Sequence, residues 1–122
     1  MSEVSDTIDH YISLWNETDA DARRAGISRI FADDATYTDP LVDVSGHAGI
    51  NAVIAANQGE FAGFTFKLLI PVDSNHNIAR FSWELIPSGG SESIAGGSDV
   101  AVFDESGRIA NVYGFLDKMP AA

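Results

Sequence analysis

The sequence predicts a single α+β domain in which three helices pack on a curved antiparallel sheet. The first observation is the apolar spacing, which is mostly helical up to about residue 63 and alternates with the period of a strand after it. The second is segment order, because helices that precede the strands exclude a doubly wound parallel sheet. The third is length, since 122 residues can enclose one interior and not two.

Three segments carry apolar residues at helical spacing. The first helix, with a cap at Ser2 or Ser5, presents on one face Val4, Ile8, Tyr11, Ile12 and Trp15. The second, with a cap at Thr18 or Asp19, is expected to end near residues 33–34 and presents Ala22, Ala25, Ile27, Ile30 and Phe31. The third covers residues 47–57 and presents Ile50, Val53 and Ile54.

A short strand at residues 35–39 is expected to end before Pro40, which offers no N–H to a ladder. Four further strands are predicted at 64–70, 79–86, 93–103 and 108–116. The segments between them are rich in turn-forming residues, so neighbouring strands should pair antiparallel. Gly96-Gly97 inside a strand indicates a bulge or bend, which would curve the sheet into an open cone with a mouth.

Composition excludes several classes of function. A formal charge of −11 disfavours nucleic acid and anionic membranes as partners. The absence of cysteine excludes disulfides and thiolate chemistry. Three histidines, His10, His47 and His76, share no ligand spacing, so no metal site is expected. The first residues lack the pattern of a signal peptide, and we expect a cytoplasmic protein.

Three ionisable residues fall on otherwise apolar segments, where burial has a free-energy cost unless the group is paired, neutral or functional. Tyr11 lies on the inward face of the first helix, Asp39 at the end of the first strand, and Asp99 on a late strand. A carboxylate and two neutral hydroxyl-type donors suffice to move a proton between carbons beside a carbonyl group. An Asp99 that donates must be protonated, which requires dry, apolar surroundings.

Three segments also resemble bacterial Δ5-3-ketosteroid isomerases. Residues 30–40, with Asp39 before Pro40, look like the segment that bears their catalytic base. Residues 10–19 and 98–109 are similar to the helix and the hairpin that bear their tyrosine and aspartic acid donors. The resemblance therefore implies Asp39 as general base, with Tyr11 and protonated Asp99 as oxyanion donors, and no cofactor.

The resemblance runs over about residues 8–116 and implies a cone-shaped α+β barrel that is often dimeric through its sheet. The same fold serves the wider SnoaL-like and nuclear-transport-factor-2-like superfamily, which includes polyketide cyclases, epoxide hydrolases, dehydratases and non-catalytic binding proteins. The expected partners are thus a small apolar organic ligand and a second copy of a chain that forms one domain over residues 1–122. The pocket wall is expected to contain Trp15, Phe31, Ile54, Phe64, Phe81, Trp83, Phe103 and Phe115.

Two positions differ from the isomerase pattern, and one residue helps to choose between enzymes. Ile54 stands where some of these isomerases carry a further tyrosine, and Leu116 where some carry a pocket tryptophan. Arg80, if it faced inward with Asp39 or Asp99, would indicate epoxide hydrolysis through a positioned water. A protein that binds an apolar ligand without turnover remains the main alternative to a proton-transfer enzyme.

Overall fold

A computed structural model describes residues 2–118 of the chain. The helices are α1 (Ser2–Asn16), α2 (Ala20–Ile30) and α3 (Gly46–Glu60). The strands are β1 (Phe31–Thr38), β2 (Asp43–Ser45), β3 (Thr65–Asn75), β4 (Ile78–Ile86), β5 (Ala95–Phe103) and β6 (Ile109–Lys118). The predicted α+β class, with three helices packed on a curved sheet, is confirmed.

The six strands form one open sheet in the order β2-β1-β6-β5-β4-β3. Strands β3 to β6 pair antiparallel with their chain neighbours, as the turn spacing predicts. Strand β1 pairs parallel with β6, so the sheet is mixed. The short strand β2 forms in a segment expected to be a loop and pairs with β1. Strand β6 therefore lies between β1 and β5, which brings Asp39 close to Asp99.

Helix α2 ends earlier than the sequence predicts. Asp19 caps its first turn, where the carboxylate accepts a hydrogen bond of 2.8 Å from the backbone N–H of Ala22. The helix ends at Ile30, and the expected end at residues 33–34 is wrong because Phe31 is already extended and pairs with Ile109 of β6. Burial of Phe31 between the helices and the sheet outweighs the helical spacing that includes it.

A bulge lies at the glycine pair of β5, as predicted, and its extra residue is Asp117 on the neighbouring strand β6. The register between β5 and β6 shifts between Gly96 and Gly97. A Cβ atom on Gly97 would lie 2.4 Å from the Phe115 carbonyl oxygen and 2.6 Å from the Trp83 indole. Only glycine fits at this contact, so the bend and the position of the indole depend on it.

The core lies between the helices and the concave face of the sheet. It contains aromatic and aliphatic side chains from every helix and from strands β1, β3, β4, β5 and β6. Tyr11 is at its centre, with edge-on contacts to the rings of Trp15, Phe31 and Phe81. No helix within residues 2–118 is long and apolar enough to cross a membrane.

Candidate active site

One cavity opens between α1, α3 and the concave face of the sheet. The space between its walls, with the open solvent at its mouth included, is about 470 Å³. Its walls are largely apolar and aromatic, with two carboxyls, two phenols and an amide among them. The lining residues are Tyr11, Ile12, Trp15, Tyr37, Asp39, Leu41, Asn57, Phe66, Trp83, Asp99 and Leu116.

Asp99 is buried on the inward face of β5 and is only 4% exposed. It pairs across the ladder with Phe81, and cross-strand partners share one face of a sheet. Its carboxyl accepts from the Trp83 indole N–H at 3.3 Å and from the Tyr11 hydroxyl at 3.5 Å. Burial raises the pKa of Asp99 to about 7; the Trp83 and Tyr11 hydrogen bonds oppose this rise, and the charge of Asp39 adds to it.

Tyr11 projects from α1 into the cavity beside Asp99. Its side chain is 2% exposed, and burial, followed by the nearby charge of Asp99, raises its pKa well above the usual value for a phenol. The hydroxyl therefore keeps its proton at any physiological pH and can donate a hydrogen bond into the cavity.

Asp39 follows β1 directly and is held by three donors. One carboxylate oxygen accepts from the backbone N–H groups of Leu41 and Val42, at 2.8 and 3.0 Å. The other accepts from the Tyr37 hydroxyl at 2.7 Å. These bonds fix the carboxylate at the mouth of the cavity, where the chain turns at Pro40.

Tyr37 takes part in the site although the sequence did not indicate it. Burial, followed by the charges nearby, raises the pKa of its phenol, so it too donates as a neutral group. The signal that could have found it is the strand period: residues two apart face the same side, and Tyr37 lies two residues before Asp39.

Gly114 lies between the two aspartates. It pairs with Asp99 across the β5–β6 ladder. A Cβ atom at this position would lie 2.9 Å from an Asp99 carboxyl oxygen and 3.3 Å from the Cβ of Asp39. No side chain at position 114 therefore separates the two acids, and their spacing depends on the absence of a Cβ atom from Gly114.

The structure places the predicted pocket residues in four different settings. Trp15 and Trp83 line the cavity. Phe31, Ile54, Phe81 and Phe103 belong to the buried core and are not among its lining residues. Phe64 lines a neighbouring hollow. Phe115 is 59% exposed on the opposite face of the sheet, because its register partner Ser98 alternates with inward-facing Asp99.

Other lining residues could have been found from periodicity. Asn57 continues the apolar face of α3, because it follows Ile50 by seven residues and Ile54 by three. Phe66 shares the inward face of β3 with Leu68, and both pack against the core. Leu116 lines the cavity at the position where some isomerases carry a tryptophan.

Arg80 faces away from the cavity, contrary to the arrangement that epoxide hydrolysis would need. The alternation of β4 turns Phe81 and Trp83 inward and Arg80 outward. Its side chain is 70% exposed and forms an ion pair of 2.9 Å with Asp73 on β3. It therefore cannot position a water beside Asp39 or Asp99.

One of the three histidines, His47, contacts the backbone of β1. His47 is half-buried in the first turn of α3, with its Nε2 atom 3.0 Å from the carbonyl oxygen of Ala32. Within residues 2–118, no three histidines or acids are grouped as metal ligands.

The helices and the open curved sheet form an α+β fold like that of nuclear-transport-factor-2-like proteins. A protein of that class from Exiguobacterium sp. 255-15, of unknown function, has a TM-score of 0.72 and 21% identity, over 91% of this chain and 98% of that one. The chain belongs to the SnoaL-like domain family, whose model matches residues 8–112. The predicted SnoaL-like membership is thereby confirmed.

Two further solved structures are similar to this chain. A SnoaL-like protein from Agrobacterium tumefaciens str. C58, provisionally named an isomerase, is 39% identical, with a TM-score of 0.91 over 96% of this chain and 99% of that one. A protein from Sinorhizobium meliloti, provisionally named a polyketide cyclase, is 19% identical, with a TM-score of 0.68 over 89% of this chain and 93% of that one. No curated protein matches the chain significantly.

Proposed function

We propose that this protein catalyses proton transfer on an apolar carbonyl compound without a cofactor, as an isomerase or a cyclase. The observation that carries the proposal is the shared location of Tyr11, Asp39 and Asp99 in one apolar cavity. Asp39 acts as general base, and Tyr11 and protonated Asp99 donate hydrogen bonds to the substrate oxygen.

The proposed reaction has two steps that balance within the site. Asp39 removes a proton from the carbon beside the carbonyl, and the electron pair moves onto the carbonyl oxygen as an enolate. The hydroxyls of Tyr11 and Asp99 donate to this oxygen, which stabilises its developing charge. Asp39, now protonated, returns the proton to a carbon of the same molecule, and no water or cofactor is consumed.

Two features of the site support this division of roles. Asp39 accepts three hydrogen bonds that hold its carboxylate in one place at the cavity, as a positioned base requires. Asp99 is buried and has a raised pKa, so a large fraction carries a proton near neutrality. Two carboxyls with such different surroundings are typical of acid and base pairs. The isomerase name of the A. tumefaciens relative agrees with the proposal.

A second candidate function is binding of an apolar ligand without turnover. The two backbone bonds to Asp39 favour it, because a carboxylate that accepts from the N–H groups of Leu41 and Val42 also serves to hold the turn after β1. In that case the cavity would retain affinity for apolar ketones after the acids are replaced. Epoxide hydrolysis has no comparable support, since Arg80 faces outward and cannot position a water in the cavity.

Exchange of carbon-bound hydrogen tests the enzyme proposal without knowledge of the natural substrate. We expect the protein to accelerate deuterium incorporation beside the carbonyl of 1-tetralone in D₂O, followed by proton NMR. Asp39→Asn should lower the rate by a factor of at least about 100, because general base catalysis contributes roughly 10²–10⁴-fold. Calorimetric titration of the same ketone measures its occupancy of the cavity.

Three results would contradict the proposal. A ketone that binds but exchanges no faster than in buffer would favour the binding protein. An exchange rate that Asp39→Asn leaves unchanged would remove Asp39 from the mechanism. Failure of every apolar ketone to bind would contradict the ligand class itself.

We also propose that two copies associate through the outer face of the sheet. This face carries exposed Tyr113 and Phe115 on β6 and Ile78 on β4. Val100 and Val102 of β5 pair with Tyr113 and Ile78 across the ladders and extend the same apolar surface. Contiguous apolar surface of this kind is typical of an interface.

A further inference from the structure

The side-chain amide of Asn57 differs from the neighbouring amides in its hydrogen bonding. Its Oδ1 atom is buried and has no hydrogen-bond partner within residues 2–118. The residue lies on α3 and lines the cavity that contains Tyr11, Asp39 and Asp99. It also lines the neighbouring hollow between α1, α3 and β3, so the amide lies in the wall that both spaces share.

The other amides near this wall are fully used in holding the fold. Asn16 donates to the carbonyl of Phe66 at 2.9 Å and accepts from its N–H at 2.7 Å. Gln58 donates to the carbonyls of Trp15 and Glu17 and accepts from Arg23. Asn57 alone among them makes no such contact within the described residues, so its acceptor oxygen takes no part in holding the fold.

A buried acceptor without a donor has a free-energy cost, and an apolar side chain of similar size would avoid it. The surrounding wall would accommodate such a side chain, because Trp15, Phe66 and Leu116 line the same cavity. An amide at this place is therefore better explained by what enters the cavity than by packing.

We propose that Asn57 selects substrates that carry a hydroxyl group remote from the reacting carbonyl. The proposal rests on the proposed function, which places the carbonyl beside Tyr11 and Asp99. Asn57 lines the same cavity, so a donor on another part of the ligand is proposed to pair with its Oδ1 atom. The substrate class is thus an apolar hydroxyketone, and Asn57 is a specificity-determining residue.

Two matched ketones test this assignment. We expect 6-hydroxy-1-tetralone to bind the wild-type protein about fivefold to tenfold more tightly than 1-tetralone, the usual contribution of one neutral hydrogen bond. Calorimetric titration at about pH 6 keeps the ligand phenol neutral. In Asn57→Leu the preference should vanish, and in Asn57→Asp, which retains an acceptor oxygen of the same shape, it should return.

Two outcomes of this titration would overturn the inference. Equal affinities in the wild-type protein would overturn the inference, and would indicate that a water molecule satisfies the amide. A preference that persists in Asn57→Leu would also overturn it. Hydrogen exchange in 1-tetralone by the wild-type protein tests the proposed function separately. If exchange occurs but the hydroxyketone binds no more tightly, only the role of Asn57 is contradicted. If the hydroxyketone is preferred through Asn57 but no exchange occurs, only the proposed catalysis is contradicted.

Discussion

Asp99 is the residue whose ionisation most affects both stability and chemistry. Its pKa is about 7 in the folded chain against an ordinary value of 3.8, with burial as the main cause. Between these values the folded state binds more protons than the unfolded state, so the free energy of unfolding falls as pH rises. The stabilisation by the proton is complete below about pH 4 and is lost by about pH 7.

This titration predicts that the protein is less stable in weak alkali than in weak acid. From about pH 5 to about pH 8, Asp99 should lower the free energy of unfolding by on the order of 3 kcal/mol, because each pKa unit corresponds to about 1.4 kcal/mol. Urea unfolding at the two pH values measures the loss. Asp99→Asn, which cannot ionise, should show a much smaller difference, and an equal difference in both proteins would contradict the burial argument.

Gly114 is predicted to set the distance between the two acids. In Gly114→Ala, the new methyl group would meet the Asp99 carboxyl and the Asp39 side chain, and one of them must move. We expect at least about a tenfold loss of ketone exchange, since small misplacement of reacting groups costs as much as about 100-fold. The matched control is Gly59→Ala in α3, where a Cβ atom meets nothing within 4 Å. Equal activity in the two variants would contradict this role.

At the scale of elements, a buried arginine connects α2 to α3 and to the turn after α1. Arg23 is 6% exposed and donates to Asn51 at 2.7 Å, to Gln58 at 2.9 Å and to the carbonyl of Glu17 at 3.0 Å. No carboxylate is among these partners, so the guanidinium is solvated by amides and a carbonyl. Arg23 thus links α2 to α3, while Gln58 of α3 donates to the carbonyls of Trp15 in α1 and of Glu17 in the turn after it.

Replacement of Arg23 should loosen the helical layer. Arg23→Met keeps the apolar stem but leaves the acceptors of Asn51 and Gln58 without a donor, at about 2–4 kcal/mol of stability. Arg24→Met, one residue away, removes only an exposed ion pair with Asp21 and should cost less than about 1 kcal/mol. Urea unfolding of both variants checks the difference, and similar losses would show that the amide contacts of Arg23 contribute little.

The elements show what sequence patterns can and cannot predict. Period and turn chemistry place three helices and the four-stranded meander, because these depend on residues close in the chain. The end of α2 was missed because Phe31 fits the helical face and its pairing with Ile109 is a long-range contact. The same holds for the parallel pairing of β1 with β6, which no local signal encodes.

The residues of the candidate site also fall into those that local sequence patterns predict and those that depend on long-range contacts. Tyr11, Asp39 and Asp99 are ionisable residues in apolar segments, so the sequence alone singles them out. The partners that fix them, Tyr37 and Trp83, depend on which strand faces meet. Aromatic residues could not be sorted into core and cavity wall in advance, because Phe81 and Trp83 share one strand face and differ only in what packs above them.

At the scale of the whole molecule, the outer face of the sheet is predicted to bury its aromatic side chains in a homodimer. The native mass should be twice the 13.0 kDa of one chain, measured by analytical ultracentrifugation. Phe115→Glu should shift the mass to a single chain, because a carboxylate is costly to bury in an apolar interface. Ala25→Glu, which adds the same charge on α2, should remain dimeric, because Ala25 is exposed in the structure although the helical spacing predicted that it faces the core. A wild-type monomer would contradict the proposed association.

The proposed function depends on the protonation of one buried carboxyl, that of Asp99, in a largely apolar cavity. Carbon-13 NMR of the aspartate carboxyls, with the Asp99 signal assigned from its loss in Asp99→Asn, follows this ionisation directly. We predict a titration midpoint of about 7 for Asp99. A midpoint near the ordinary 3.8 would mean that Asp99 is ionised at neutral pH and cannot donate to an enolate.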